Sequence, residues 1–398
     1  MPEGPKPIPI TRPVFGERER ELLLKPLETG WVVQGPYVAR FEKLFAAYVG
    51  ADHALAVSSC TTGLHLVLHA LGLGPGDEVI VPSFTYVATA NAVEYCGARP
   101  VFCDIDLATF NLDVAAVEAL ITPRTRGIVA VSLFGLAADL PALAELASRR
   151  GLFLMEDAAC ALGASIAGRH TGQGCVASVY SLHPRKAITT GEGGMITTGD
   201  AALADLIGKL RNHGAEATDL ERHHQQGGSL LPAFNLLGFN YRLTDLQGAL
   251  GVAQMERLED ILAGRRAGAA AYDQMLAQVP AVAPPQVPAG YGHAYQSYVA
   301  LYRGAQGQEP GLDNLEELNR QRNRLMAAME RDGVTVRQGT HAVHTLGYYA
   351  GKYGLRPNDF PHSLLADRLS ITLPLFAGIS PDDQARVVAY LRHPERYF

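Results

Sequence analysis

From residue 50 the chain alternates short, uninterrupted apolar runs with stretches of helical spacing, and this alternation limits its fold more than any other feature. HALAV (53–57) reads as a strand and TGLHLVLHALGL (62–73) as a helix. After the turn GPGD, EVIVP (78–82) is a second strand and TYVATANAVEYCG (85–97) a second helix. RPVFCDID, RGIVAVSLFG and LFLMEDAA follow as strands, the last two separated by the helix DLPALAELASRRG (139–151). The runs are continuous rather than alternating in polarity, so each strand is expected to be buried on both faces, as in a parallel sheet. Successive βα units then require right-handed crossovers and helices on both faces of the sheet. In such α/β sheets the loops beyond the carboxyl ends of the strands bind the ligand.

The second half follows a different pattern. Residues 241–275 read as one long helix, and the Pro- and Gly-rich segment 280–292 marks a domain edge. Beyond it come a strand (SYVALYR), a helix (LEELNRQRNRLMAAMERDG) and a terminal helix near 381–392. At 398 residues the chain is long for one core and suits two domains. Residues 1–275 form the large domain, with an N-terminal arm and the long connecting helix, and residues 276–398 a smaller α+β domain.

Composition narrows the setting. A net charge of −6 excludes a general polyanion-binding surface, so no nucleic-acid partner is expected. No run of about eighteen apolar residues appears, and the start, MPEGPKPIPITRPVFGERERE, lacks the apolar core of a secretion signal. No membrane association is expected. Cysteines 60, 96, 103, 160 and 175 are odd in number and lack CxxC spacing, which fits reduced thiols in the cytoplasm.

Four stretches carry chemistry. In SLHPRKAITTGEGGMITT (181–198), Lys186 follows an apolar strand and precedes a run of Thr and Gly. Glycines 191, 193 and 194 let backbone approach a bound group closely. A desolvated lysine on a rigid, open loop is suited to forming an imine with a carbonyl cofactor; the plainer assignment is a solvated surface charge. In EDAA (156–159), Asp157 ends a strand where ligands bind. A carboxylate there keeps a pyridine nitrogen protonated, so that the ring accepts electrons, although Asp before Ala-Ala is also a common helix start. In SSCTTG (58–63), small hydroxyl residues precede a helix and offer an anion free amides and a positive dipole. Thr61 and Thr62 would bind through backbone and hydroxyl, whereas simple capping needs one such residue. In SFTYVAT (83–89), Tyr86 is placed either to stack on a planar ring or to fill the core.

Phosphate loop, aromatic, acid and lysine thus fall in order on loops at one sheet edge. In this order and spacing the chain resembles the sugar aminotransferases of the DegT type, within the fold-type-I pyridoxal-phosphate enzymes. The likeness runs from about residue 8 to the C-terminus, through GWVVQGPYVARFEKLFAAYVG (30–50), VPSFTYVATANAV (81–93), EDAACALGA (156–164) and SLHPRKAITTGEGGM (181–195). It continues through GFNYRLTDLQGALGVAQ (238–254), GTHAVHTLGYY (339–349) and LPLF (373–376). The resemblance implies an α/β fold of type I and pyridoxal 5'-phosphate as cofactor. Lys186 matches the Schiff-base lysine and Asp157 the partner of the pyridine nitrogen. Thr61, Thr62 and Ser181 match phosphate-binding positions, and Tyr86 the aromatic over the ring. Cys160 stands on the cofactor's other face, where relatives often carry Gln or His, and Cys60 stands where many have Gly. Asn240 matches a residue that reaches the phosphate from the other subunit of a homodimer, with Arg242 assisting. His183 and Arg185 are placed as substrate neighbours.

The implied reaction moves an amino group from glutamate or glutamine to a nucleotide-linked keto sugar, a 4-keto-6-deoxyhexose first among them, for deoxyamino sugar and polysaccharide biosynthesis. Two alternatives stand beside it. Sugar nucleotide dehydratases of the same family have histidine where Lys186 stands, and a non-enzymatic regulator would need a basic patch or helix-turn-helix that this sequence lacks. Other constellations point elsewhere. His65 and His69 have helical i, i+4 spacing but no third ligand nearby, so packing rather than a metal site is expected. His341 and His344 either line the substrate cleft or support it, and HHQQGG (223–228) reads as a mobile polar loop.

Overall fold

The apolar runs close into one seven-stranded sheet whose hydrogen-bonding pattern decides where the chain's loops emerge. The structure is a computed structural model and describes residues 6–217 and 231–398, so the 223–228 stretch lies outside the described residues. The strands are β1 (His53–Val57), β2 (Glu78–Pro82), β3 (Arg99–Cys103), β4 (Thr125–Val131), β5 (Phe153–Asp157), β6 (Ala177–Ser181) and β7 (Gly194–Thr198), in the order β1-β7-β6-β5-β4-β2-β3. β2 pairs in parallel with β3 and β4, β4 with β5, and β5 with β6. β7 alone runs antiparallel, to both β1 and β6. Parallel neighbours need a crossover of a dozen or so residues, usually helical. Residues 182–193 contain no helix, so the chain turns back beside β6, and this tight return carries the lysine loop.

Both faces of the sheet are covered, as the unbroken apolar runs require. On β2, Val79 and Val81 pack into one cluster and Ile80 into another, and none of the three is exposed. Helices Cys60–Ala70 and Ala201–Leu210 cover the first face; Pro36–Val49 and Asp245–Glu256 pack on the opposite one, against Ala56 and Tyr180. A second sheet is antiparallel throughout and joins Val282–Ala283, Tyr298–Tyr302 and Ser370–Leu373. Helices Leu315–Arg331 and Pro381–Arg392 cover it, and the N-terminal arm enters the same core: Ile8 bridges Val334, and the Leu375 N–H donates to the Ile10 carbonyl at 3.0 Å. No helix among the described residues is long and apolar enough to cross a membrane.

Three local expectations change. The helix expected over 241–275 is two, Asp245–Glu256 and Leu258–Leu276, separated at Arg257. No Pro or Gly forces the break; it lets the first helix lie between Glu17–Thr29 and Pro36–Val49 while the second runs on to the three-stranded sheet. The helix expected from 85 starts at Ala88, because Phe84–Thr85 is drawn into a short ladder with His341–Ala342. The helix expected from 62 starts at Cys60 under a Ser59 cap.

That last shift brings β7 against the start of the helix. A Cβ on Gly194 would stand 2.6 Å from the Cys60 nitrogen and the Ser59 carbonyl carbon, both backbone atoms. Gly194→Ala should therefore cost about 1–3 kcal/mol through overpacking. Urea unfolding checks this: the midpoint should fall with the slope unchanged, and an unshifted midpoint would show that the 58–61 loop yields freely.

Candidate active site

Parallel strands end on a common edge, and at that edge a cavity of about 430 Å3 opens. β1 delivers residues 59–61 to its wall, β2 delivers Thr85 and Tyr86, β5 Asp157, and β6 Ser181 and the loop bearing Lys186. Distant segments complete it: Thr11 from the N-terminal arm, Gln296 from the turn before Tyr298–Tyr302, and Arg337 and Gln338 from the C-terminal half.

At the amino end of helix Cys60–Ala70, the Ser59 hydroxyl accepts from the Thr62 N–H at 3.1 Å. In return the Thr62 hydroxyl accepts from the Ser59 N–H at 3.0 Å and donates to the Ser59 carbonyl at 2.8 Å. Thr62 is thus committed to the cap and does not line the cavity. Cys60 and Thr61 do, and first-turn amides have no intrahelical acceptor, so this turn offers an anion N–H donors and the helix dipole.

Strand alternation separates the two adjacent acids of EDAA. Glu156 points away from the cavity and accepts from the hydroxyls of Ser132, Thr171 (2.5 Å) and Ser178 (2.9 Å). Asp157 faces the cavity. Its Oδ2 accepts from the Thr89 hydroxyl at 2.7 Å and its Oδ1 from the Ala159 N–H at 3.1 Å. Residues 158–163 turn without forming a helix, so the carboxylate caps none. Burial pushes the Asp157 carboxyl above the usual range, while Thr89, Ala159 and Lys186 pull it back. Burial and the neighbouring Asp157 raise the Cys60 thiol, which stays neutral with its Sγ 3.9 Å from Oδ1.

The lysine loop is fastened at its base, where the Leu182 N–H donates to the Gly193 carbonyl and the Thr190 N–H to the Leu182 carbonyl, each at 3.0 Å. Within it the Lys186 N–H donates to the His183 carbonyl at 2.8 Å. Lys186 Nζ lies 3.1 Å from Cys160 Sγ. Desolvation, then Arg185, lowers the His183 pKa, and its Nδ1 accepts from the Arg185 N–H at 3.2 Å. Tyr86 is 61% exposed, so it fills no core; it stands at the cavity wall with its ring free to cover a ligand.

Of the residues singled out in the sequence, the cavity gathers Thr61, Tyr86, Asp157, Cys160, Ser181 and Lys186, with Cys60, His183 and Arg185. Asn240 is exposed and outside it; the segment passes close by, since the Tyr241 carbonyl accepts from the Ser58 N–H at 2.9 Å. Arg242 is bound to the Asn212 side chain at 2.5 Å. His344 is buried between the Ser83 hydroxyl (2.5 Å) and the Pro357 carbonyl (2.9 Å), a supporting position, and His341 pairs through its backbone with Thr85. The His65 ring packs on Phe239 and Tyr241, and the described residues contain no group of three or more ligands able to hold a metal. Sequence reasoning missed Thr89, which lies one helical turn past Tyr86 and whose spacing was a usable signal. It also missed Thr11 and Gln296, for which no local pattern exists.

These residues fit pyridoxal phosphate. A desolvated carboxylate facing the cavity is an acceptor for a protonated ring nitrogen, and the first turn of the helix from Cys60 is a donor set for phosphate. The amine of Lys186 lies on the same cavity wall, and the volume falls within the range of small-molecule sites, about 300–1,000 Å3.

Comparison with known proteins points the same way. Residues 13–392 match the model of the DegT/DnrJ/EryC1/StrS aminotransferase family. The chain is similar to the GDP-perosamine synthase of Caulobacter vibrioides, with 39% identity over 96% of this chain and 97% of that protein. Among solved structures it is similar to the aminotransferase TlmJ from Streptoalloteichus hindustanus (TM-score 0.86, 30% identity, 98% and 99% of the two chains). It is likewise similar to DesI in the presence of its TDP-sugar product (TM-score 0.83, 31% identity, 98% and 94%).

The raised Asp157 pKa has a thermodynamic consequence. A carboxyl that titrates higher folded than unfolded contributes stability at low pH, and loses it as pH rises through its unfolded and then its folded value. At pH above the unfolded value, the cofactor-free protein therefore carries a cost for burying this carboxyl. Asp157→Asn should leave the cofactor-free melting temperature at pH 7 equal or higher, while the rise on adding pyridoxal phosphate shrinks. Turnover should fall roughly 100-fold, as expected for losing about 3 kcal/mol from a buried ion pair. Melting curves with and without cofactor check this, and an unchanged cofactor-induced rise would remove Asp157 from the site.

Proposed function

Because this chain belongs to the DegT/DnrJ/EryC1/StrS aminotransferase family, whose members depend on pyridoxal phosphate, we propose that it transfers an amino group from glutamate or glutamine to a nucleotide-linked keto sugar, a 4-keto-6-deoxyhexose first among the candidates. The observation that carries this reading is the meeting, in one cavity, of an amine, a buried carboxylate and a helix amino end. When bound, the cofactor supplies an electron-accepting ring and holds the amino group between donor and acceptor. Asp157 would keep a positive charge on the ring nitrogen, Thr61 and Ser181 would hold the phosphate, and Tyr86 and Cys160 would pack against the ring. Lys186 first anchors the cofactor. With the cofactor bound, its freed Nζ would act as base at the donor's amino-bearing carbon, pass that proton on within the same half-reaction, and in the second half-reaction deliver a proton to the acceptor carbon as general acid. Fixed geometry turns these transfers into steps between neighbours.

The nucleotide sugar is supported by the relatives, one named a GDP-perosamine synthase and another solved in the presence of its TDP-sugar product. Arg185, Arg337 and His183 on the cavity wall suit a diphosphate. The same reading divides the chain into a cofactor-binding domain (1–275) and a smaller domain (276–398), and places the enzyme in the cytoplasm, where five free thiols stay reduced. It makes the active form a homodimer in which Asn240 serves the neighbouring subunit's phosphate. Asn240 is exposed and outside its own cavity, and exposed apolar residues such as Leu23, Leu24, Leu27, Leu236 and Leu237 offer a pairing surface.

Three experiments test this. Loaded enzyme, first given glutamate, should recover its original visible absorbance with a keto sugar nucleotide and not with free keto acids other than the donor's own. Rapid recovery with many free keto acids, and none with keto sugar nucleotides, would overturn the substrate assignment. Borohydride reduction should fix the cofactor on Lys186. Mixing Lys186→Ala with Asn240→Ala subunits should restore activity to dimers that hold one intact site, and no recovery despite subunit exchange would confine Asn240 to its own chain.

A further inference from the structure

Arg265, on helix Leu258–Leu276, is a buried cation with no acid at ion-pair distance among the described residues. It is 2% exposed, and desolvation lowers its pKa to about 10. Its Nη1 donates to the carbonyls of Tyr295 (3.4 Å), Gln296 (3.0 Å) and Leu375 (3.3 Å), and its Nη2 to the Thr11 hydroxyl (3.2 Å) and the Lys186 carbonyl (3.4 Å). Nε has no partner. A buried guanidinium matched only by neutral oxygens is costly, and a purely structural contact could be made as well by apolar packing. What sets this one apart is the set of segments it joins: the N-terminal arm, the lysine loop, the turn at 295–296 and the residues just after strand Ser370–Leu373.

Gln296 adds a second tie. Its Nε2 donates to the Arg185 carbonyl at 2.8 Å, so two successive carbonyls of the lysine loop are held from outside the large sheet. The turn that presents Gln296 is itself fixed by backbone. The Ala294 N–H donates to the Gly135 carbonyl at 2.8 Å and the Ser297 N–H to the Phe134 carbonyl at 3.2 Å. Phe134 and Tyr295 both sit at positive φ, 56° and 48°, and a Cβ on Gly135 would lie 2.8 Å from the Gln296 nitrogen. Non-glycine residues in that region are strained and persist where surrounding contacts over-determine them.

We propose that Arg265 and Gln296 are positioning residues for Lys186: they clamp the backbone carbonyls of residues 185 and 186, and so fix the origin from which the flexible lysine side chain reaches the reacting carbon. The clamp also makes the lysine's position depend on the N-terminal arm and the C-terminal half, since the same guanidinium holds Thr11 and Leu375. Lysine has four side-chain torsions, so a small shift of its backbone is multiplied at Nζ, and about 1 Å of misplacement costs on the order of 100-fold in rate.

The inference rests on the proposed role of Lys186, and borohydride labelling of the unaltered holoenzyme tests that role first; a label on another lysine removes both. With the label on Lys186, three holoenzyme variants are compared. Arg265→Lys keeps the cation and loses the fork that reaches five acceptors. Gln296→Leu frees only the Arg185 carbonyl. Arg322→Lys is the control: Arg322 is equally buried at 3%, has its pKa lowered to about 10 and also leaves Nε unpartnered, but donates to the Ser370 carbonyl and Asn319, away from the lysine. Arg265→Lys should lower kcat about 100-fold with KM changed less than about threefold, and should at least halve the visible circular dichroism per bound cofactor. Gln296→Leu should move the same quantities in the same direction by about tenfold or less. Arg322→Lys should lower the melting temperature and leave kcat and the visible dichroism unchanged. Should Arg265→Lys fail to fold, Gln296→Leu decides alone. Wild-type kcat and dichroism in the folded Arg265 and Gln296 variants, or the same pattern in the Arg322 control, would overturn the proposal.

Discussion

The parallel pairing of β2, β4, β5 and β6 is the constraint on which the active cavity depends. Parallel hydrogen bonding forces successive strands to finish on one edge, so Tyr86, Asp157 and the Lys186 loop converge although about a hundred residues of chain separate the first from the last. The single antiparallel strand of that sheet, β7, completes the arrangement. It returns the chain directly beside β6, presses Gly194 against the cap of the helix from Cys60, and so links the lysine loop to the first turn of that helix.

Burial of charge is the second theme, and the molecule handles it in three ways. Glu156 receives three hydroxyl donors on the far face of β5 and is a satisfied structural acid. Asp157, its neighbour in sequence, accepts from one hydroxyl, one amide and a distant thiol and faces the cavity, so its carboxylate is available to a ligand. Arg265 spends its donors on carbonyls and a hydroxyl from segments far apart in the chain, which ties the reactive loop to the rest of the molecule. In each case desolvation is the cost, and the identity of the compensating partner determines whether the group serves the fold or the chemistry.

The chain by itself determined a good deal. Unbroken β-branched runs separated by helical spacing specify a doubly covered parallel sheet, because only burial on both faces makes such runs favourable. The same logic placed Thr61, Tyr86, Asp157 and Lys186 on strand-end loops, whereas the separation of Asp157 from Glu156 is seen in the structure. Three kinds of information were absent from any local window. Whether Thr62 binds a ligand or caps its own helix turns on where that helix begins, and a shift of two residues reassigns its hydroxyl. The break at Arg257 has no local breaker and exists because two packing surfaces lie in different directions. The clamp on the lysine loop joins Thr11, Arg265, Gln296 and Leu375, contacts with no sequence periodicity, since they follow from how the arm and the second sheet dock. Periodic burial is written along the chain; the partners of a buried charge are chosen only when distant segments meet.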